Sequence, residues 1–279
     1  MDATKPQAES IQIATATITV DMDPAANLNR MKRVVEKTLD AHPRVRLILF
    51  GETILGWFHQ SEGRTRAYYD SIAEVVPGTA TDSVAALAEA RDVYICFGLV
   101  EREDDMLYNT QVLIGPDREI LAKHRKFWIR SAVFTAADEQ LTVAEIDGAR
   151  VAILICADAR SMSLIRAIRR ADVDVVLASL VDYSTSTTVS RMIGALFGTW
   201  AFTANRFGQE GSILWHGLTT ITDPWANLVQ SSAGEECVLV QDVPLARPSV
   251  VERFVRRPLV SIKALGLMVA MMVEMALDK

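Results

Sequence analysis

The chain has 279 residues, 50% of them apolar and 23% charged, enough to bury one large core or two ordinary ones and too hydrophobic for a disordered or fibrous protein. A formal net charge of −6 argues against a nucleic-acid partner, because phosphate binding needs clustered Lys and Arg, and the short run Lys123-His-Arg-Lys126 does not reverse that balance. The three cysteines, Cys96, Cys156 and Cys237, show no CxxC or CxH spacing, and His59, His124 and His216 show no ligand spacing, so neither a disulfide framework nor a metal site is expected; a reducing, cytoplasmic home is.

The polar first ten residues lack the apolar core of a signal peptide and lead into a strand over 11–20, where apolar and small polar residues alternate. Leu28, Met31, Val35 and Leu39 recur at helical spacing, and 45–50 reads as a buried strand. A second helix carries Val84, Leu87 and Ala88 before a strand over 93–100, and Gly115-Pro-Asp turns 110–114 back into 119–122 as a hairpin. The later half repeats the theme. Asp147-Gly148 links 141–146 to 150–156, an amphipathic helix from about Ser163 carries Ile165 and Ile168, and 173–178 is another buried strand. A Ser/Thr-rich loop at 184–190, one more helix and short strands at 217–222 and 236–243 follow. No Pro/Gly/Ser linker divides these elements, which predicts one α/β domain over 1–258 with two sheets packed face to face and helices outside.

Residues 259–277 are largely apolar, but Lys263 and Glu274 confine the uncharged run to 264–273, too short to cross about 30 Å of hydrocarbon. The segment 259–279 is read as a terminal helix, not a membrane span. Its methionines, Met268, Met271, Met272 and Met275, and its nearly all-round apolarity point to packing on the body of the fold or on another subunit; a helix on a lipid surface is the alternative.

Three strand ends carry polar residues that the hydrophobic runs do not explain. Glu52 follows the strand ending at Phe50, Lys126 follows the hairpin, and Cys156 ends the strand Val151-Ala-Ile-Leu-Ile-Cys156 where a helix start can stabilise a thiolate. Residues at the carboxyl ends of strands converge on one crevice in open α/β architectures. There a thiol can attack a carbonyl, a carboxylate can carry its proton to the leaving amine, and an ammonium can hold the oxyanion. Each has a bland reading as well: a core thiol, a helix cap, a solvated lysine.

The segments Leu49-Phe-Gly-Glu52, His124-Arg-Lys126 and Leu154-Ile-Cys156-Ala-Asp158-Ala-Arg160 resemble, in order and spacing, the three signature segments of the carbon–nitrogen hydrolase, or nitrilase, superfamily. The similarity extends to Tyr108-Asn-Thr110, Ala204-Asn-Arg206-Phe-Gly208 and Trp215-His-Gly217 through Thr222-Asp-Pro224. It implies an α-β-β-α sandwich that forms a homodimer or higher homo-oligomer, with Glu52 as general base, Lys126 on the oxyanion side and Cys156 as nucleophile. It further implies hydrolysis of a small amide or carbamoyl compound through an acyl-thioester, without metal or organic cofactor. Nitrile hydrolysis by the same triad, or an interaction protein that has lost turnover, are the alternatives.

The chain departs from the pattern in several places. The second glutamate that many members carry before a Phe-x-Pro-Gly segment, here Phe134-Thr-Ala-Ala137, falls at about Arg130; Asp138 and Glu139 lie on the wrong side. The family's Glu-Asn pair falls at Leu196-Phe197, its usual proline at Gly51, and the aromatic or acidic residue after the nucleophile at Ala157. Arg160 fits the Cys-x-Asp-x-Arg spacing of members acting on carboxylate-bearing amides, where a guanidinium grips the carboxylate. Arg130, Ala157, Arg160, Trp57 and Trp128 are therefore the expected substrate-binding positions, and Cys96 and Cys237 the structural thiols.

Overall fold

The computed structural model describes residues 9–58, 65–245 and 250–277; His59, residues 1–8 of the lead-in and residues 278–279 of the terminal helix lie outside them. Strand β1 (Ser10–Thr19) alternates as its sequence demands, sending Ile11 and Ile13 to one face and Ala14, Ala16 and Ile18 to the other. Asp23 caps α1 (Pro24–Ala41) by accepting the Ala25 N–H at 3.0 Å, and Pro24 sits at the helix start, where a missing N–H costs no hydrogen bond. The helix then lays Met31, Val35 and Leu39 on the sheet.

β2 (Val45–Leu49), α2 (Arg66–Ile72), α3 (Thr79–Arg91) and β3 (Tyr94–Glu103) extend a parallel set β1–β2–β3, which β4 (Met106–Ile114) and β5 (Ile120–Arg125) continue antiparallel. β6 (Thr142–Ile146) and β7 (Ala149–Ile155) open a second sheet. From β7 a 3-10 turn, Cys156–Arg160, leads through α4 (Met162–Arg170) to β8 (Val175–Ser179), then through α5 (Thr188–Phe197) to β9 (Trp200–Ala204). β10 (Arg206–Glu210) and β11 (Ile213–His216) return to the first sheet, and β12 (Thr219–Thr222) and β13 (Leu228–Ser232) join the second. β14 (Cys237–Pro244) pairs antiparallel with β1 before α6 (Val250–Leu277).

The eight-stranded sheet runs β11-β10-β1-β2-β3-β4-β5 with β14 also on β1, and the six-stranded sheet runs β13-β12-β9-β8-β7-β6. Leu47, Leu49 and Cys96 of the first meet Val151, Val175 and Phe202 of the second in a core between them. α1 and α3 cover the outer face of the first sheet, α4 and α5 that of the second. This is the expected α-β-β-α sandwich. Toward one end the interface turns polar: Thr15 Oγ1 donates to Thr203 O at 2.7 Å, and Thr17 and Thr219 share a hydroxyl hydrogen bond.

The terminal helix runs from Val250 with Pro258 inside it, and among its described side chains one stripe packs on the body. Val260, Ala264 and Leu267 meet Ala195 and Ala226, while Lys263 Nζ donates to Asn227 Oδ1 at 2.7 Å and Trp225 O at 3.1 Å. Leu259, Ile262, Leu265, Val269 and Met272 stay exposed on the single chain. No helix among the described residues is long and apolar enough to cross a membrane.

Candidate active site

Phe50 N still donates to Cys96 O at 2.8 Å, but the chain then leaves the ladder and turns beside the middle of β3, where Ile54 N donates to Gly98 O at 2.9 Å. A Cβ at Gly98 would collide with Thr53 N, so this crossing needs glycine. Thr53 takes a left-handed conformation (φ 44°), costly for a β-branched residue. What holds it is Arg206, fully buried: its Nη2 donates to Glu52 O and Thr53 O, both at 2.8 Å, its Nη1 to Gly56 O at 3.2 Å, and Glu210 neutralises it.

That clamp fixes the Glu52 carboxylate, which is wholly buried. Oε1 accepts Lys126 Nζ and Asn109 Nδ2, each at 2.6 Å, and Asn109 O also accepts the Lys126 N–H at 2.8 Å. Oε2 has no hydrogen-bond partner among the described residues. Burial works against the Lys126 ammonium, but the Glu52 carboxylate above all outweighs it and holds the group above its ordinary value. The ring of Phe58 lies 5.8 Å from Nζ, a cation–π contact, and Tyr69 Oη donates to Phe58 O at 2.6 Å to hold that residue.

Cys156, half-buried, sits at the junction of β7 and its 3-10 turn in a left-handed conformation (φ 45°), so strain marks both sides of the site. The expected stabilisation of the thiolate by Lys126 is present but outweighed. Burial first and the Glu52 carboxylate second push the thiol up to about 12, and Lys126 and the Val181 amide do not compensate. The segment after Cys156 is a single 3-10 turn, and α4 starts only at Met162 under its own cap, Ser161, whose Oγ accepts the Leu164 N–H at 3.1 Å, so the expected helix start does not fall at Cys156. The Glu52 carboxylate, with Oε2 unpartnered among the described residues, is a group able to take the thiol proton.

Lys126, Trp128, Arg130, Ala157 and Arg160 line one open cavity of about 320 Å³ together with Phe58, Ile129, Ser131 and Phe134. No carboxylate lines it among the described residues. Trp57, expected beside the substrate, is placed elsewhere: its indole N–H donates to Val20 O at 2.9 Å and its ring packs on the core under α1 and α3. Glu139 accepts the hydroxyls of Ser161 and Ser163 and so does not replace the missing second glutamate. At the Glu-Asn position, Leu196 and Phe197 pack apolar against the core under α4 and α5.

The basic run of β5 divides by strand alternation. Lys123 and Arg125 turn outward to Glu101, at 2.7 and 2.6 Å, whereas His124 and Lys126 turn inward. His124 Nε2 meets Asp158 Oδ2 at 3.0 Å and Nδ1 meets Thr142 Oγ1 at 2.9 Å, and Asp158 Oδ1 accepts the Trp128 N–H at 2.9 Å. Phe58 was not singled out from the sequence, and Asn109, Arg206 and Phe134 entered only as members of the segments that carry the resemblance, without a role. Asn109 left one signal: it opens a polar run, Asn109-Thr-Gln111, in the middle of a strand where asparagine is a poor fit.

The sequence profile of the family described as carbon–nitrogen hydrolase matches residues 7–251. A nitrilase of Pyrococcus abyssi is 30% identical over 193 residues, covering 65% of this chain and 71% of that protein. An omega-amidase of Xenopus tropicalis is 24% identical, covering 64% and 71%. A variant amidase from Nesterenkonia sp. AN1, with the acetamide moiety of fluoroacetamide added covalently at its active-site cysteine, shares the fold with a TM-score of 0.73 at 18% identity, covering 88% of this chain and 94% of that one. Matched over nearly its whole length, the chain belongs to the carbon–nitrogen hydrolase family, enzymes of the nitrilase superfamily that act on carbon–nitrogen bonds other than peptide bonds.

Proposed function

We propose that the chain hydrolyses a small amide through an acyl-thioester on Cys156, with Glu52 as general base and Lys126 as oxyanion partner. The observation that carries this reading is the Glu52 carboxylate: buried, held at Oε1 by Lys126 and Asn109, and unpartnered at Oε2. Oε2 takes the thiol proton as Sγ bonds to the carbonyl carbon, and the Lys126 ammonium stabilises the oxyanion. The tetrahedral species collapses, the C–N bond breaks, and protonated Glu52 gives its proton to the leaving ammonia or amine. Water then loses a proton to Glu52 and attacks the thioester, and breaking the C–S bond returns the acid and, with that proton, the thiol. The cysteine adduct in the Nesterenkonia amidase supports the nucleophile, and the name of the omega-amidase supports the amide class.

Arg130 and Arg160 in a cavity without carboxylates support an acyl group that ends in an anion, and about 320 Å³ suits a small molecule. Trp128 and Ala157 form walls of the same space. A nitrile is the second reading, favoured by the Pyrococcus relative. The exposed stripe of α6 we read as a face covered by a second copy; Ile262→Lys with Leu265→Lys should leave a monomer, and an unchanged mass in light scattering would remove that part. Ammonia release from a panel of anionic amides, neutral amides, carbamoyl compounds and nitriles tests the activity. Hydrolysis of amides by wild type and not by Cys156→Ala is the expected result; equal turnover by both ends the reading.

A further inference from the structure

Glu52, Asn109 and Lys126 all hang from the eight-stranded sheet, whereas Cys156 hangs from the six-stranded one. Away from the Thr15–Thr203 and Thr17–Thr219 hydrogen bonds the interface between the sheets is largely apolar, and apolar packing is non-directional; it fixes a spacing without fixing the last ångström of alignment. Between the Lys126 segment and the Cys156 turn stands a directional link. His124, two residues before Lys126, meets Asp158, two residues after Cys156, at 3.0 Å, and both are fully buried. The other Asp158 oxygen accepts the N–H of Trp128, two residues after Lys126, at 2.9 Å, so one carboxylate grips the lysine segment on both sides. Thr142 of β6, again from the second sheet, holds the far ring nitrogen of His124 at 2.9 Å. The acceptor-only carboxylate makes Nε2 the donor, which fixes the ring orientation.

We infer that His124 and Asp158 form a clasp across the two sheets that sets the alignment of the Cys156 sulfur with the Glu52–Lys126 pair, so that both act as positioning residues. The inference rests on the roles proposed for those three residues. A buried charge without a partner is costly, and neither group touches the cavity, so the link serves alignment and not substrate binding. Misplacing reacting atoms by about 1 Å costs up to about 10²-fold in rate, whereas substrate affinity stays with the cavity walls.

The test compares His124→Leu, which removes the donor, with His124→Gln, whose amide nitrogen can stand at the place of Nε2. Steady-state kinetics on the best amide of the panel and the rate of Cys156 alkylation by chloroacetamide are read together, on protein shown to be folded by circular dichroism. His124→Leu is expected to lower kcat and the alkylation rate by about 10- to 10²-fold with KM within about twofold, and His124→Gln to stay within about threefold of wild type in both. If His124→Leu does not fold, His124→Leu with Asp158→Asn replaces it, because no buried charge is then orphaned. A folded variant without the histidine that keeps wild-type kcat and alkylation overturns the clasp alone. A loss that the glutamine fails to reverse overturns it too, and full turnover by Cys156→Ala removes the clasp and the proposed function together.

Discussion

Strands β3 and β7 each present a thiol, and burial brings both to the same place: Cys96 and Cys156 are each pushed up to about 12. Their surroundings differ. Cys96 is fully buried within β3, in the core between the sheets, and the group on its sulfur is the neutral amide of Gln111 at 3.5 Å. Cys156 is half-buried past the end of β7, and the second cause of its shift is a carboxylate, Glu52. The comparison teaches that burial raises both thiols alike in this fold. What differs is the company each keeps, a neutral amide for Cys96 and the Glu52 carboxylate for Cys156, and the roles proposed for Cys156 and Glu52 rest on that difference.

Replacing each thiol is the most severe way to break the comparison. Cys156→Ala should lower kcat by about 10⁴-fold or more, with the fold intact by circular dichroism, because a nucleophile has no substitute. Cys96→Ala should keep turnover and instead lose roughly 1–2 kcal/mol in urea unfolding, the cost of a small cavity between the sheets. Reversed outcomes would mean the two strands have been read the wrong way round.

Glu52→Gln sharpens the same contrast. It keeps the shape and a hydrogen-bond acceptor but not the base, so kcat should fall by about 10²- to 10⁴-fold. Alkylation of Cys156 by chloroacetamide should slow in parallel, while that of Cys237, on β14, should not. Parallel slowing at Cys237 would show that the substitution acts on the whole fold.

The same contrast explains what could be read in the sequence. Layers built on apolar periodicity were legible: Met31, Val35 and Leu39 of α1 and Ile165 and Ile168 of α4 fall on the buried faces their spacing demands. β10 was not legible as a strand from pattern, because Arg206-Phe-Gly-Gln-Glu210 is polar and its burial depends on an internal Arg206–Glu210 pair. α2 offers only seven residues, too few for a periodic signal. Cys156, Lys126 and Glu52 stood out as polar groups ending apolar runs; Asn109 and the His124–Asp158 link depend on which strands become neighbours, which no local pattern specifies.

Arg130 and Arg160 offer a smaller effect. Arg160→Ala should raise KM for a carboxylate-bearing amide by roughly tenfold, the loss of one charge-assisted grip, and leave a neutral amide within about twofold. Arg130→Glu should act in the same direction on the anionic substrate. If Arg130→Glu instead raises activity on neutral amides and leaves the anionic one unaffected, the arginine is not a specificity group.

The smallest expected effect lies back on β3, whose far end carries Glu101. Burial would raise its carboxyl, but Arg125, Lys123 and Thr110 outweigh that and hold it below its ordinary value of 4.5. A carboxyl depressed in the folded state stabilises the fold above the unfolded value and loses that contribution as pH falls through the folded one. Glu101→Gln should therefore lower Tm by about 2 °C near neutral pH, where the half-exposed partners keep the loss near 1 kcal/mol, and the gap to wild type should close on acidification below about pH 4. Turnover should stay within twofold, because Lys123 and Arg125 point away from the inward pair His124 and Lys126. A larger loss of turnover would mean that the outward half of β5 bears on the site, and that β3 cannot be treated as the purely structural strand of the two.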